Sequence, residues 1–284
     1  MGPLISVLMT AYNREKYISE AIESVLCSTY ANWELIITDD CSTDTTLDIA
    51  RRYEARDSRI RVYKNEKNLG DYPNRNRAAS YAKGDFLMSV DSDDTLFPYT
   101  MEKCIEMFSK FGKASFGIYK PNCNLKGTLL EPKEALYEHF FSSPYLMMGP
   151  GGSVIKTEYF HNIGGFPTKY GPANDRYYNL KAASASPTIL IPFELIYYRR
   201  HEGQEMNNSY AYLYNNFLYL RDALKELDLY LNENELNYLL NKNRRRFVVN
   251  IAKFIINEKS YKRTLEAVKR AEFGVSDAFH GIFH

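Results

Sequence analysis

The chain has 284 residues, a formal net charge of +1 from 36 Lys and Arg against 35 Asp and Glu, and 45% apolar residues. Near neutrality removes any global case for nucleic acid, and ordinary apolar content places the chain among globular proteins. No run is apolar enough to span a bilayer, nothing reads as a signal peptide, and Cys27, Cys41, Cys104 and Cys123 show no C-x-x-C spacing; together these predict a cytoplasmic protein with reduced thiols.

Leu4 to Thr10 is a short apolar run without alternation, as in a strand buried on both faces of a parallel sheet. Ala11-Tyr12-Asn13-Arg14 is its turn. Tyr17, Ile18, Ala21, Ile22, Val25 and Leu26 then recur at helical spacing. Trp33 to Thr38 is a second strand ending in Asp39-Asp40, and Ser42 or Thr43 suits the cap of the next helix, through Leu47 to Tyr53. Ile60 to Tyr63 is a third strand, Asn65 to Gly70 a loop, and Arg75 to Ala82 a helix with Pro73 near its start. Phe86 to Val90 is a fourth strand. This alternation predicts an α/β fold with a parallel, doubly wound sheet whose polar strand ends converge on one edge.

The fourth strand runs into Asp91-Ser92-Asp93-Asp94. Three carboxylates in four positions repel one another unless a cation offsets them. Hard oxygen ligands suit Mg²⁺ or Mn²⁺, with a diphosphate supplying further oxygens. The plain alternative is an acidic turn that caps the following helix, with Thr95 assisting.

Beyond Leu96, Met101 to Phe108 reads as a helix and Ala114 to Tyr119 as a strand, while Pro121 to Pro144 reads as irregular and acceptor-facing. Met148 to Ser153 is Gly-rich before Val154-Ile155; it is either a ligand cradle or a turn, and it lacks the Gly-Lys-Ser/Thr of a P-loop. Asn174-Asp175 opens a helical stretch over 176–183. Thr188 to Ile191 and Glu194 to Tyr198 read as strands, followed by a polar loop from Arg199 to Gln204. From Met206 onward the pattern is helical. Lys242 to Arg270 holds ten Lys and Arg against Glu258 and Glu266, an asymmetry that suggests an anionic surface as partner. Either these basic, amphipathic helices lie peripherally on the inner face of a membrane, or their apolar face packs on the catalytic domain or on a second copy as a homodimer. The number of Leu and Phe residues favours packing.

Pro3 to Asn13 closely resembles the opening of family 2 glycosyltransferases with the GT-A fold, as does Tyr30 to Asp44. Asn68-Leu69-Gly70 with Arg75-Asn76 is similar to the family's next block, Asp91-Ser92-Asp93-Asp94 to its DxD element, and Gly164-Gly165-Phe166 and Asn174-Asp175 to its acceptor-side blocks. Five blocks in order are far more specific than one. The resemblance implies a GT-A, Rossmann-like domain over 1–205, with a nucleotide half at 1–120 and an acceptor half at 121–205, and a C-terminal helical extension at 206–284. It also implies inverting, Mg²⁺- or Mn²⁺-dependent hexosyl transfer from a nucleotide-diphosphate sugar, usually UDP-linked. The acceptor would be a glycan or polyprenyl-diphosphate-linked saccharide, as in surface or capsular polysaccharide synthesis.

Carried over position by position, the resemblance places Thr10, Ala11, Tyr12, Asn13 and Asp40 at the nucleotide, with Tyr12 stacked on the base and Asp40 accepting from uracil N3–H. Arg75 faces the uracil or the phosphates. Asp91 and Ser92 lie at the ribose, Asp93 ligates the metal, and Asp94 is a ligand or its neighbour at the donor sugar. His201 completes the metal shell or touches the diphosphate, or is a surface histidine. Gly151 and Gly152 let backbone approach the donor sugar. Asp175 is the general base, with Asn174 where family members often carry Glu. Two rivals remain: a nucleotidyltransferase, which needs a Gly-rich basic loop after the first strand that Ala11-Tyr12-Asn13-Arg14 does not supply, and a non-catalytic sugar-nucleotide-binding protein.

Overall fold

A computed structural model describes residues 2–201 and 209–283. The expected junction at 205/206, the end of the polar loop and the start of the tail at Met206 fall outside the described residues.

The first part of the chain folds as four parallel strands: β1 (Ile5–Ala11), β2 (Trp33–Asp39), β3 (Ile60–Lys64) and β4 (Phe86–Ser89). Between them run α1 (Ile18–Leu26), α2 (Thr46–Glu54) and α3 (Asp71–Ser80). Their lack of alternation has the expected cause, since both faces are covered. Ile5, Val7 and Met9 of β1 enter one core with Leu35, Ile37 and Met88, while Leu8, Ile36 and Leu87 enter the other. All four strands end on one edge, so the turns after β1, β2 and β4 meet there.

Beyond β4 come the two-residue β5 (Thr95–Leu96), α4 (Thr100–Lys110), β6 (Phe116–Tyr119), β7 (Thr128–Leu130) and α5 (Pro132–Phe141). They are followed by β8 (Ser153–Lys156), α6 (Thr157–Asn162), α7 (Asn174–Ala185), β9 (Thr188–Ile191) and β10 (Ile196–Tyr197). The main sheet has the order β3-β2-β1-β4-β8-β6-β9-β7, with β8 antiparallel between β4 and β6.

Three expectations change. The 121–144 segment is not irregular: it holds β7 and α5, and α5 starts on a capping box between Glu131 and Glu134 with Pro132 in its first turn. No helix follows Asp94 directly, because Thr95-Leu96 pairs antiparallel with Ile196-Tyr197, so the acidic turn caps nothing. Nor does Ser42 or Thr43 cap α2; the Ser42 hydroxyl accepts the Asn13 N–H, and Thr45 is the residue before the helix.

The tail forms α8 (Ser209–Glu226), α9 (Glu233–Glu258), α10 (Tyr261–Arg270) and α11 (Val275–Phe283). Its near part packs on the sheet domain. Tyr219, Ala223, Leu224 and Leu239 join the second core, while Leu213, Phe217, Phe247 and Phe254 form a cluster within the tail. Polar anchors fix α8: the Tyr170 hydroxyl donates to Asp222 at 3.0 Å, and that of Tyr177 to Glu226 at 2.8 Å.

Candidate functional site

The carboxylate end is built by β4 and fastened to β1. Ser92 is buried, and its hydroxyl donates to the Thr10 carbonyl at 2.7 Å, which holds the turn after β4 against the end of β1. Carboxylate oxygens of Asp91, Asp93 and Asp94 then lie within 4.8 Å of one another. Burial, and next the charge of Asp91, push the Asp94 carboxyl up to about 7. Asp94 receives one backbone N–H, from Arg199, at 3.0 Å.

Arginine and histidine side chains cover the other two. Arg14 Nε donates to Asp93 Oδ2 at 2.9 Å, and His201 Nε2 lies 2.9 Å from the same oxygen with its ring stacked on Tyr17. Arg75 is buried between Asp71 and Asp91, with Nη1 2.6 Å from Asp91 Oδ1. Clustered hard oxygens with a carboxyl raised by its neighbours are what a divalent cation would relieve, so this donor set fits one.

At the end of β1, Tyr12 exposes 44% of its surface, which leaves the ring available as a platform. Asn13 takes a left-handed φ of 52°, and its side-chain oxygen accepts from the Thr43 N–H, tying the first turn to the one after β2. The Ala11 carbonyl accepts from the Asp40 N–H at 2.8 Å. Asp40 has a structural duty as well. Its carboxylate accepts from Asn65 Nδ2, Leu69 N and Gly70 N at 2.7–2.9 Å, holding the loop that leads into α3. Asp40→Ala is expected to lower unfolding free energy by about 3 kcal/mol in denaturant melts, because each donor left unpaired costs roughly 1–3 kcal/mol.

The other end of the site, expected to face the acceptor, is built by α7. Asp175 sits in its first turn, and burial pushes the carboxyl up to about 7 against the opposing pull of Arg176. Its backbone N–H reaches the Tyr72 hydroxyl at 3.3 Å. Asn179, one turn on, donates to the carbonyls of Leu146 and Met148, and so draws the Gly-rich turn toward α7. Asn174 is buried, with both ends of its amide committed: Oδ1 accepts from Tyr170 N and Nδ2 donates to the Gly171 carbonyl.

Gly151 and Gly152 are small for packing. A Cβ on Gly151 would meet Ile196 Cδ1 at 2.4 Å, and one on Gly152 would meet Met148 Cβ at 3.0 Å. The glycine turned toward Asp175 is Gly149, whose added Cβ would lie 3.9 Å from Asp175 Oδ2.

The blocks read separately in sequence lock together. The Asn76 amide donates to the Phe166 carbonyl at 2.8 Å and accepts from its N–H at 2.9 Å, so α3 carries the Gly164-Gly165-Phe166 turn. Arg75 pairs with Asp91, and its charge also acts on Asp175, linking the two ends. Sequence reasoning missed Arg14, Tyr72, Gly149, Arg176 and Arg199. For Arg14 and Gly149 a signal existed, since each adjoins residues already singled out.

The model of "Glycosyl transferase family 2" matches residues 6–228. The Bacillus subtilis protein EpsE is 44% identical over 110 residues, 38% of this chain and 40% of its own length. The Escherichia coli protein "UDP-Glc:alpha-D-GlcNAc-diphosphoundecaprenol beta-1,3-glucosyltransferase WfgD" is 39% identical over 137 residues, 47% of this chain and 53% of its own. The chain thus spans about half the length of these relatives. The structure of S. aureus TarS 1-349 in complex with UDP-GlcNAc superposes with a TM-score of 0.72 at 22% identity, covering 95% of this chain and 79% of that one. The sheet order, the strand-end carboxylates and the match over most of the chain agree: this chain belongs to glycosyl transferase family 2 and has the GT-A fold.

Proposed function

We propose that the chain moves a hexosyl group, with inversion, from a UDP-sugar to a hydroxyl of a glycan or polyprenyl-diphosphate-linked saccharide in surface or capsular polysaccharide synthesis. The observation that carries this reading is the placement of a buried carboxyl raised to about 7, Asp175, on the sheet edge that also holds the Asp91, Asp93 and Asp94 triad. The UDP-GlcNAc in the TarS complex and the diphosphoundecaprenol in the printed name of WfgD support the donor and acceptor classes.

Asp93 and Asp94, with Asp91 and His201 beside them, would hold Mn²⁺ or Mg²⁺. When bound, that ion supplies Lewis-acid neutralisation of charge on the departing diphosphate. The Tyr12 ring supports the base, and Asp40 has lone-pair capacity left for uracil N3–H beyond its three loop bonds. Arg14 and Arg75 put fixed positive charge on the leaving-group side. Asp175 takes the acceptor hydroxyl's proton as that oxygen attacks the anomeric carbon and the bond to the diphosphate breaks. A displacement of this kind turns an α-linked donor into a β-linked product. NMR of the product should show that inversion, and retention would overturn the role of Asp175.

No described helix is long and apolar enough to cross a membrane. The tail nonetheless exposes Ile256 at 70%, Leu265 at 51% and Val275 at 89%, and its Lys253, Lys259, Lys262 and Lys269 are exposed too. Exposed apolar side chains on a lysine-rich tail suit an anionic bilayer surface. The protein should float with phosphatidylglycerol vesicles and not with phosphatidylcholine vesicles. A concentration-dependent dimer without vesicle binding would give this face to a second copy instead.

A further inference from the structure

Arg176 is placed at a cost. It lies in the first turn of α7, where the helix dipole disfavours positive charge. Its Nε is buried and has no hydrogen-bond partner among the described residues, and its Nη1 donates to a neutral acceptor, Asn216 Oδ1 of α8. Ring faces of α8 back the guanidinium, with Tyr212 at 5.1 Å and Tyr219 at 6.0 Å from its carbon. The guanidinium thus follows Asp175 directly in α7, on the side where α8 packs against that helix.

We propose that Arg176, backed by Tyr212, Asn216 and Tyr219, is an anion-reading subsite for the acceptor. It takes a phosphate or carboxylate borne by the sugar whose hydroxyl Asp175 deprotonates. This rests on the reading of Asp175 as the base. A planar guanidinium with a spare donor, fixed by stacking, suits paired anionic oxygens better than a neutral hydroxyl. The subsite favours acceptors with charge next to the attacked ring, whether from a lipid diphosphate or from a uronic acid.

The test uses the full chain saturated with UDP and Mn²⁺, titrated calorimetrically with three probes: an alkyl hexosyl diphosphate, an alkyl hexuronide and the uncharged alkyl hexoside. One charged probe or both should bind on the order of ten- to a hundredfold tighter than the neutral one, the worth of a charge-assisted hydrogen bond. Arg176→Gln should abolish that difference while the UDP-induced melting shift stays unchanged; which charged probe responds identifies the source of the charge. Equal binding of all three by the wild type, or a preference that survives in Arg176→Gln, would overturn the subsite. Because binding is read without turnover, a failure of Asp175 as base would show separately, as transfer that persists in Asp175→Asn. If Arg176 only tunes Asp175, Arg176→Gln would shift the pH profile of transfer equally for charged and neutral acceptors and leave the binding preference intact, which also overturns the proposal.

Discussion

Asp175→Asn lowers the rate of sugar transfer by about 10²- to 10⁴-fold, the usual contribution of a positioned general base, and leaves UDP binding unchanged. Asparagine has the same shape and can still accept the Arg176 N–H that Asp175 Oδ1 accepts at 2.7 Å, so the first turn of α7 survives. What is lost is the proposed proton acceptor. The wild type should also show the matching pH limb. Burial pushes the carboxyl up to about 7, only its ionised form accepts a proton, and transfer therefore rises as pH increases through about 7 and levels off above it. The residual activity of Asp175→Asn should lack that limb. Single-turnover rates from pH 5.5 to 8.5 check both statements.

Asp93→Ala has the second large effect. Asp93 Oδ2 is the shared acceptor for Arg14 and His201 at the centre of the triad. Without it the proposed metal site would lose a ligand, and two side chains lose the group that orients them. UDP affinity in the presence of Mn²⁺ should fall by at least about 100-fold, beyond the 10- to 100-fold typical of losing only a supporting partner. In calorimetry, the dependence of UDP binding on added Mn²⁺ should vanish in the variant. Unchanged metal dependence would move the ligand role to Asp91 and Asp94.

The sequence was most legible where buried strands meet polar turns. The runs ending at Ala11, Asp39 and Ser89 are unalternating because each feeds two cores, and that pattern alone predicts the shared edge. The clustering of Asp91, Asp93 and Asp94 and the place of Asp175 in a first helical turn followed from where the blocks fall along the chain. Other features were hidden because their partners are distant in the chain. Nothing local to Asp40 says that it will hold the amides of Leu69 and Gly70, and nothing local to Gly151 says that Ile196 will pack on it. The antiparallel insertion of β8 is four residues long, too short for periodicity to reveal its direction. By contrast, α5 was overlooked despite a signal in plain view, the Glu131-Pro132 start with Glu134 three residues on. Arg176 reads as an ordinary helix residue until α8, some forty residues later, places Asn216 and two tyrosines against it.

The central claim is a division of labour between the triad, which holds the diphosphate end, and Asp175, which moves the proton. The most direct test is the UDP-induced rise in melting temperature with Mn²⁺ present, measured side by side for Asp93→Ala and Asp175→Asn. The division predicts that Asp93→Ala loses the rise and Asp175→Asn keeps it in full; loss in both variants, or retention in both, would contradict it.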